Sequence, residues 1–421
     1  MATVNPPRGM RDFLPADKAR RERVLAVIRD RYRAHGFDEI ETPVMEEYDR
    51  LHAGVGGDNE KLAFNIMKRG ITAETLAATT DAADLADLGL RYDLTVPLSR
   101  FYASHRAELP TVFRAVQIAP VWRAERPQKG RYRQFVQCDI DIMGDATSRA
   151  EAELISATLD ALDALGLSGA SVRINDRRAL DAMLDAFGFP VGERPGVLIT
   201  IDKLDKIGPS GVAAELRERG AAASSVDAFE EFLTGLAKPA GSFGEEQIRG
   251  LLPAGIPDEI VEHLVGVGEA VSAARGSAPL VFDPFLVRGM GYYTGTIFEI
   301  AHPDVPYSLG GGGRYDGMVG RFLGQDVPAV GFSIGFERIV DLVSLAEAEG
   351  SRSVVLVHDK DVPVAELLAH KARLVAEGAR VRLERRPRNL KSVLERAEAD
   401  GYTSFASVAA GQSEIEPKPL G

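Results

Sequence analysis

The chain has 421 residues, enough for two or three domains of the usual ~100–200 residues. Hydrophobic residues at 45% and charged residues at 27% fit a globular protein with a real core, and a net charge of −12 argues against a non-specific coat for nucleic acid. With no apolar run near the ~20 residues of a membrane span, no apolar segment in Met1–Arg11 and a single cysteine, Cys138, the expectation is a soluble cytoplasmic protein with no membrane partner and no internal disulfide.

In chain order, the first predicted element is a helix over Asp17–Ala34. Val24, Leu25, Ile28 and Tyr32 share one face and Gly36 stops it. Phe37–Pro43 alternates as a strand, and Pro43 confines it to an edge or an interface. Leu90–Arg100 and Val112–Trp122 read as strand-rich. Arg131–Gly144 alternates tightly: Phe135, Gln137, Asp139 and Asp141 face one way, and Val136, Cys138, Ile140 and Ile142 the other. A polar face on a core strand suggests a ligand cavity. Short helices dominate from 172 to 274, with a stripe at Ile260, Leu264, Val267 and Val271. Strand character returns at Leu280–Val287, Tyr293–Ala301 and Tyr307–Gly313, and Phe332–Val343 turns from strand to helix. The last part reads βαβαβ: strands at Val354–Val357, Val381–Leu383 and Ser404–Val408, helices at Val364–Ala376 and Leu390–Ala399. Residues 411–421 read as a loose tail.

Two basic runs stand out in an acidic chain, Trp122–Arg133 and Arg380–Arg396. A solvated face explains either run alone, but two runs favour anionic ligands. Arg123 and Arg131 flank a loop containing Pro127 and Gly130, while Arg288 and Arg338 come from distant segments rich in small residues. Guanidinium forks pair well with phosphate oxygens. No phosphate-binding Gly-x-x-x-x-Gly-Lys-Ser/Thr loop is present, and the seven histidines show no metal-ligand spacing. The run Gly310–Gly313 lies in strand context, where it suits close passage of a ligand along the backbone, or a turn.

The string WRAERPQKGRYRQF (Trp122–Phe135) resembles motif 2 of the class II aminoacyl-tRNA synthetases in its histidine-specific form. RGMGYYTG (Arg288–Gly295) and GGGRYDG (Gly311–Gly317) resemble the two signature segments of the histidine family. RYDLTVPL (Arg91–Leu98) matches its amino-group segment, GFSIGFERI (Gly331–Ile339) its motif 3 and GFDEIETPVME (Gly36–Glu46) its motif 1. The resemblance implies an α+β fold, with a catalytic domain built on an antiparallel sheet flanked by helices. It divides the chain into catalytic parts at 1–171 and 275–345, a helical insertion at 172–274 and a shortened anticodon-binding-like α/β domain at 352–421.

It also implies a ligase that activates L-histidine with ATP and passes it to the 3′ end of tRNA(His), as a homodimer through motif 1. ATP would be held by Arg123, Glu125, Arg131, Phe135 and Arg338, with Mg²⁺ accompanying the phosphates. Arg123 and Arg288 would stabilise charge at the α-phosphate, Arg288 also lying at the histidine. Asp93, Thr95 and Gln137 would take the ammonium and carboxylate ends, while Asp141 and Tyr292 or Tyr293, with Tyr315 nearby, read the imidazole. Gln128 and Lys129 of the mobile loop would meet tRNA. If Tyr292 and Tyr293 lie in a strand they face opposite ways, so that one is a core aromatic. Three departures stand out: Gly291 where the family segment has aspartate, a longer Lys68–Asp87 link read as a surface insertion, and the short C-terminus. A non-catalytic histidine-binding regulatory paralogue and an activating enzyme for a non-tRNA acceptor are the alternatives.

Overall fold

The computed structural model describes residues 4–55, 62–128, 130–236, 243–277, 279–287, 291–344 and 352–420. The sequence expectations for Arg288 and Lys129 therefore fall outside the described residues. Contacts divide the chain into two compact units, one of Met1–Arg11 with Leu25–Val343 and one of Asp12–Val24 with Ser344–Gly421.

Helix α1 spans Pro15–Ala34 and is followed by β1 (Asp38–Glu39), β2 (Met45–Glu47), α2 (Tyr48–Val55) and β3 (Phe64–Met67). Next come α3 (Ala73–Ala78), β4 (Ala86–Leu90), α4 (Thr95–His105), β5 (Phe113–Trp122), β6 (Gln134–Met143), α5 (Ser148–Ala164) and β7 (Ser171–Asp176). Six helices then run consecutively: α6 (Arg177–Ala186), α7 (Arg194–Ile201), α8 (Leu204–Glu218), α9 (Ala223–Gly235), α10 (Glu245–Gly250) and α11 (Asp258–Arg275). The first unit closes with β8 (Leu280–Phe282), β9 (Thr296–His302), β10 (Val305–Arg314), α12 (Gly317–Leu323), β11 (Ala329–Gly335) and α13 (Phe336–Ile339).

Its main sheet has eight strands in the order β1-β5-β6-β11-β10-β9-β7-β8. Pairing is antiparallel throughout except at the two ends, β1 with β5 and β7 with β8. Pro43 does confine the preceding strand to the sheet edge, where only two residues pair. The β6 alternation holds: Cys138, Ile140 and Ile142 are fully buried on the helix-covered side, where α5 packs. The stripe Ile260, Leu264, Val267 and Val271 is buried as α11 runs against α5. A separate three-stranded sheet, β2-β4-β3, uses part of the Lys68–Asp87 link as β4.

Several expectations change here: residues 172–176 belong to strand β7 of the main sheet and not to the helical stretch, and the strand expected over Leu280–Val287 ends at Phe282. Leu90–Arg100 is not strand-rich: β4 stops at Leu90 and Thr95–His105 is helical. Thr95, Val96 and Pro97 suggest extended backbone, yet all three sit in the first helical turn, where proline has no N–H partner to lose. The Asp93 carboxylate then accepts the Val96 N–H at 3.1 Å and satisfies an orphan donor of that turn. The strand expected from Tyr293 begins only at Thr296, and Tyr292 and Tyr293 precede it outside any strand.

In the second unit, β12 (Ser353–His358), α14 (Val364–Ala376), β13 (Arg380–Arg385), α15 (Leu390–Ala399) and β14 (Ser404–Val408) form the expected βαβαβ unit. Its parallel sheet, β13-β12-β14, gains β15 (Lys418–Pro419) as an antiparallel edge on β14. The segment after Gly411 is thus tied to the sheet, and Ile415 is buried in the unit's core rather than loose.

Candidate active site

Strand β6 lies at the middle of the site. Its period of two places Gln137, Asp139 and Asp141 on one face, and both aspartates are buried. A buried carboxylate is costly unless it is hydrogen-bonded. Asp141 meets this through the Tyr315 hydroxyl, which donates to its Oδ1 at 2.6 Å. Tyr315 directly follows β10 and is itself buried. Space for the Asp141 carboxylate exists because its partner on β11 is Gly331, where a Cβ would lie 2.0 Å from that same oxygen.

A second acid–phenol pair stands beside the first. Asp93 precedes α4, and its Oδ2 accepts the Tyr292 hydroxyl at 3.4 Å. The Tyr292 ring meets Tyr293 edge-on at 5.0 Å and Tyr315 at 6.1 Å between centroids. Both adjacent tyrosines thus join one cluster, because the turn holding them frees them from strand alternation. Thr95, the first residue of α4, lies near the Tyr292 hydroxyl. Gln137 donates from Nε2 to Ser333 Oγ at 3.2 Å across the β6–β11 ladder.

Arg123 follows β5 and reaches back over the same region. Its Nε donates to the Tyr92 carbonyl at 3.2 Å, and its guanidinium carbon lies 4.3 Å from the Tyr92 ring centre and 5.1 Å from that of Phe135. Two aromatic faces fix the plane of the fork. The β5–β6 connection closes through paired backbone bonds between Gln128 and Arg131, with Arg131 Nη1 3.6 Å from Glu125. At the Phe135 end of β6, Glu337 accepts the Val136 N–H at 3.3 Å and pairs with Arg11. Arg338 next to it donates to the Ser308 carbonyl of β10 at 2.7 Å.

The glycine run of β10 has another use than close passage of a ligand. A Cβ at Gly310 would lie 2.3 Å from the Ser333 carbonyl oxygen, and one at Gly312 1.9 Å from that of Gly331. These glycines let the backbone of β11 approach. A buried network behind this strand has no signal in the sequence. Arg314, between the glycine run and Tyr315, donates from Nε and Nη2 to the two oxygens of Glu151 at 2.7 Å each. His263 Nε2 of α11 lies 3.3 Å from Glu151 Oε1 and 3.1 Å from Thr296 Oγ1. Nothing in the local pattern of α5 marks Glu151, which stands among buried alanines and leucines.

Electrostatics in this cluster are set by burial. Burial raises Asp141 from 3.8 to about 7, against the Tyr315 hydroxyl, which favours the carboxylate. Asp139 is pushed well above the ordinary carboxylate range by burial and then by the Asp141 charge. Asp93 is raised by burial despite the Val96 N–H and the positive charge of Arg123. Folded Asp141 therefore keeps its proton to about pH 7, whereas the unfolded residue releases it near 3.8. Its stabilising contribution is complete below the lower value and is lost as pH rises to the upper one. In urea unfolding, wild type should lose stability relative to Asp141→Asn over this window, by a few kcal/mol at ~1.4 kcal/mol per unit. The difference should be flat above it, and a pH-independent difference would refute the buried-acid description.

The histidyl-tRNA synthetase family model matches residues 9–339. The chain belongs to this family. It is 58% identical over 424 residues to the histidine–tRNA ligase of Leifsonia xyli subsp. xyli, covering 99% of this chain and 98% of that one. It is 43% identical to the probable histidine–tRNA ligase of Tropheryma whipplei, covering 96% and 95%. Among solved structures, histidyl-tRNA synthetase from Nostoc sp. PCC 7120 superposes with a TM-score of 0.75 at 24% identity, covering 100% of this chain and 97% of that one. An ATP phosphoribosyltransferase regulatory subunit/histidyl-tRNA synthetase from Bacillus halodurans gives the same TM-score, 0.75, at 22% identity, covering 97% and 99%. At these identities the two structures speak for the fold, an α+β sheet with a small C-terminal α/β domain. The family assignment rests on the sequence matches.

Proposed function

We propose that this chain is a histidine–tRNA ligase, which activates L-histidine with ATP and then esterifies it to tRNA(His). The observation that carries the reading is the paired Asp141–Tyr315 and Asp93–Tyr292 groups in one buried cluster of a chain from this family. An imidazole has two ring nitrogens, and a pocket with acceptor and hydroxyl partners for both rejects apolar competitors. Leaving such groups unpaired costs a competitor roughly 10⁴–10⁵ in selectivity. In this reading Asp141 and Tyr315, with Tyr292 or Tyr293, recognise the ring. Asp93, Thr95 and Gln137 take the ammonium and carboxylate ends.

In the first step a histidine carboxylate oxygen attacks the α-phosphorus of ATP. The bond from that phosphorus to the bridging oxygen breaks, pyrophosphate leaves and histidyl-adenylate remains. Arg123 is oriented by its two rings to hold the α-phosphate, and Phe135 offers a face to adenine. Arg338 takes the γ-phosphate, and Arg131 touches phosphate from its loop, beside Glu125. Arg288 is assigned the charge that develops at the α-phosphate, where a preorganised cation has most effect. Guanidinium and carboxylate donors of this kind fit a nucleotide accompanied by Mg²⁺, which when bound would neutralise phosphate charge. In the second step a hydroxyl at the tRNA 3′ end attacks the carbonyl carbon and displaces AMP, losing its proton. Gln128 and Lys129 belong to the loop that would meet this tRNA. A homodimer in the cytoplasm completes the proposal.

Gly331→Ala tests the pocket from behind. Its new methyl would take the place of the Asp141 carboxylate, and KM for histidine should rise at least ~10-fold while KM for ATP stays within about twofold. Charging of a tRNA(His) transcript tests the whole function. Histidine esterification that requires both ATP and this tRNA is expected. Activation without transfer would place the chain with enzymes that serve another acceptor.

A further inference from the structure

Asp139 stands midway between Gln137 and Asp141 on the site face of β6, 5% exposed, and has no place in the reading above. Its surroundings explain how it differs from the other acids. Asp93 is engaged at both oxygens, by the Val96 N–H and the Tyr292 hydroxyl, and Asp141 is engaged by Tyr315. Ser333 lies opposite Asp139 on β11, near its carboxyl, and receives a Gln137 Nε2 hydrogen. That arrangement leaves two buried acceptors, Asp139 Oδ1 and Gln137 Oε1, with no hydrogen-bond partner among the described residues. They sit two residues apart on one strand face. Unsatisfied buried acceptors of this sort are rare and ask for a donor.

The donor they fit can be named by its chemistry. Burial, then the Asp141 and Asp93 carboxyls against Arg123, act most on Asp139, and all three acids are held above the ordinary carboxylate range. A neutral N–H donor would satisfy hydrogen bonds without favouring the ionised carboxylate, whereas a primary ammonium brings three donors and the positive charge that lets the buried acid ionise and offer its free acceptor. We propose that Asp139 is a further binding residue of this pocket, whose Oδ1 receives, together with Gln137 Oε1, the primary ammonium group of the amino-acid substrate. This rests on the reading of the pocket as an amino-acid site and adds a residue to it.

The test uses the full-length protein and two non-reacting ligands, histidinol, which keeps the ammonium, and imidazolepropionate, which lacks it. Binding is followed by titration calorimetry for wild type, Asp139→Asn and Asp139→Ala, after thermal unfolding has shown each variant folded. Removal of a buried acid without a full set of partners leaves no orphaned cation, so the alanine variant serves where the asparagine amide is not accommodated. The expected result is histidinol binding weakened about 10- to 100-fold with imidazolepropionate binding unchanged. In ATP–pyrophosphate exchange, KM for histidine should rise likewise while kcat stays within about threefold, since the contact is made equally before and during reaction. Equal weakening of both ligands, or no weakening of either, overturns the assignment. Failure of wild type to bind histidinol or to show histidine-dependent exchange would instead sink the amino-acid reading itself.

Discussion

Replacing Arg123 with alanine is expected to slow histidine-dependent ATP–pyrophosphate exchange by about 10²–10³-fold, the usual effect of deleting one preorganised charge donor. Negative charge grows on the α-phosphoryl oxygens as the carboxylate attacks and pyrophosphate leaves. A guanidinium already oriented between Tyr92 and Phe135 needs no reorganisation to meet it. Lysine restores the charge but not the planar fork, so Arg123→Lys should recover only part of the loss. The contrast between the two variants separates fork geometry from charge, and exchange within threefold of wild type in the alanine variant would remove Arg123 from the proposed chemistry.

The largest stability effect is expected at Glu151. Its carboxylate is fully buried and binds the Arg314 fork through both oxygens, with His263 on its other side. Burial pushes its pKa up, but His263 and Arg314 outweigh burial and hold it below the ordinary range. Glu151→Ala removes the bidentate partner of the buried Arg314 guanidinium, which keeps only Asp316 at 3.3 Å and the carbonyls of Asp145 and Thr147, and costs about 3 kcal/mol. Denaturant unfolding should show this loss. Glu151→Gln keeps an acceptor and should lose less. Arg314 directly precedes Tyr315, so loss of the pair also loosens the Asp141 contact, and KM for histidine should rise in any folded Glu151→Ala protein.

How far the sequence leads depends on the range of the interactions. The β6 strand and its polar face are legible because alternation is local and both faces lie within ten residues. The βαβαβ unit is legible for the same reason, since each helix carries its own stripe and its own stop. The first turn of α4 is not, because Thr95, Val96 and Pro97 suit extended backbone until a capping carboxylate is in place. Pairing in space is hidden altogether. Tyr292 meets Asp93 across 199 positions and Tyr315 meets Asp141 across 174. Resemblance named those residues without saying which partner each would take. Arg314 with Glu151 had no signal at all, since a lone acid on an amphipathic helix normally faces solvent. The glycines of β10 were visible, but their purpose depends on how close β11 comes.

Histidine activation is tested by ATP–pyrophosphate exchange by the purified protein with each of the twenty standard amino acids in turn. Exchange is expected with histidine alone, at least ~10⁴-fold above any other amino acid in kcat/KM. Exchange with a different amino acid, or with none, would contradict it.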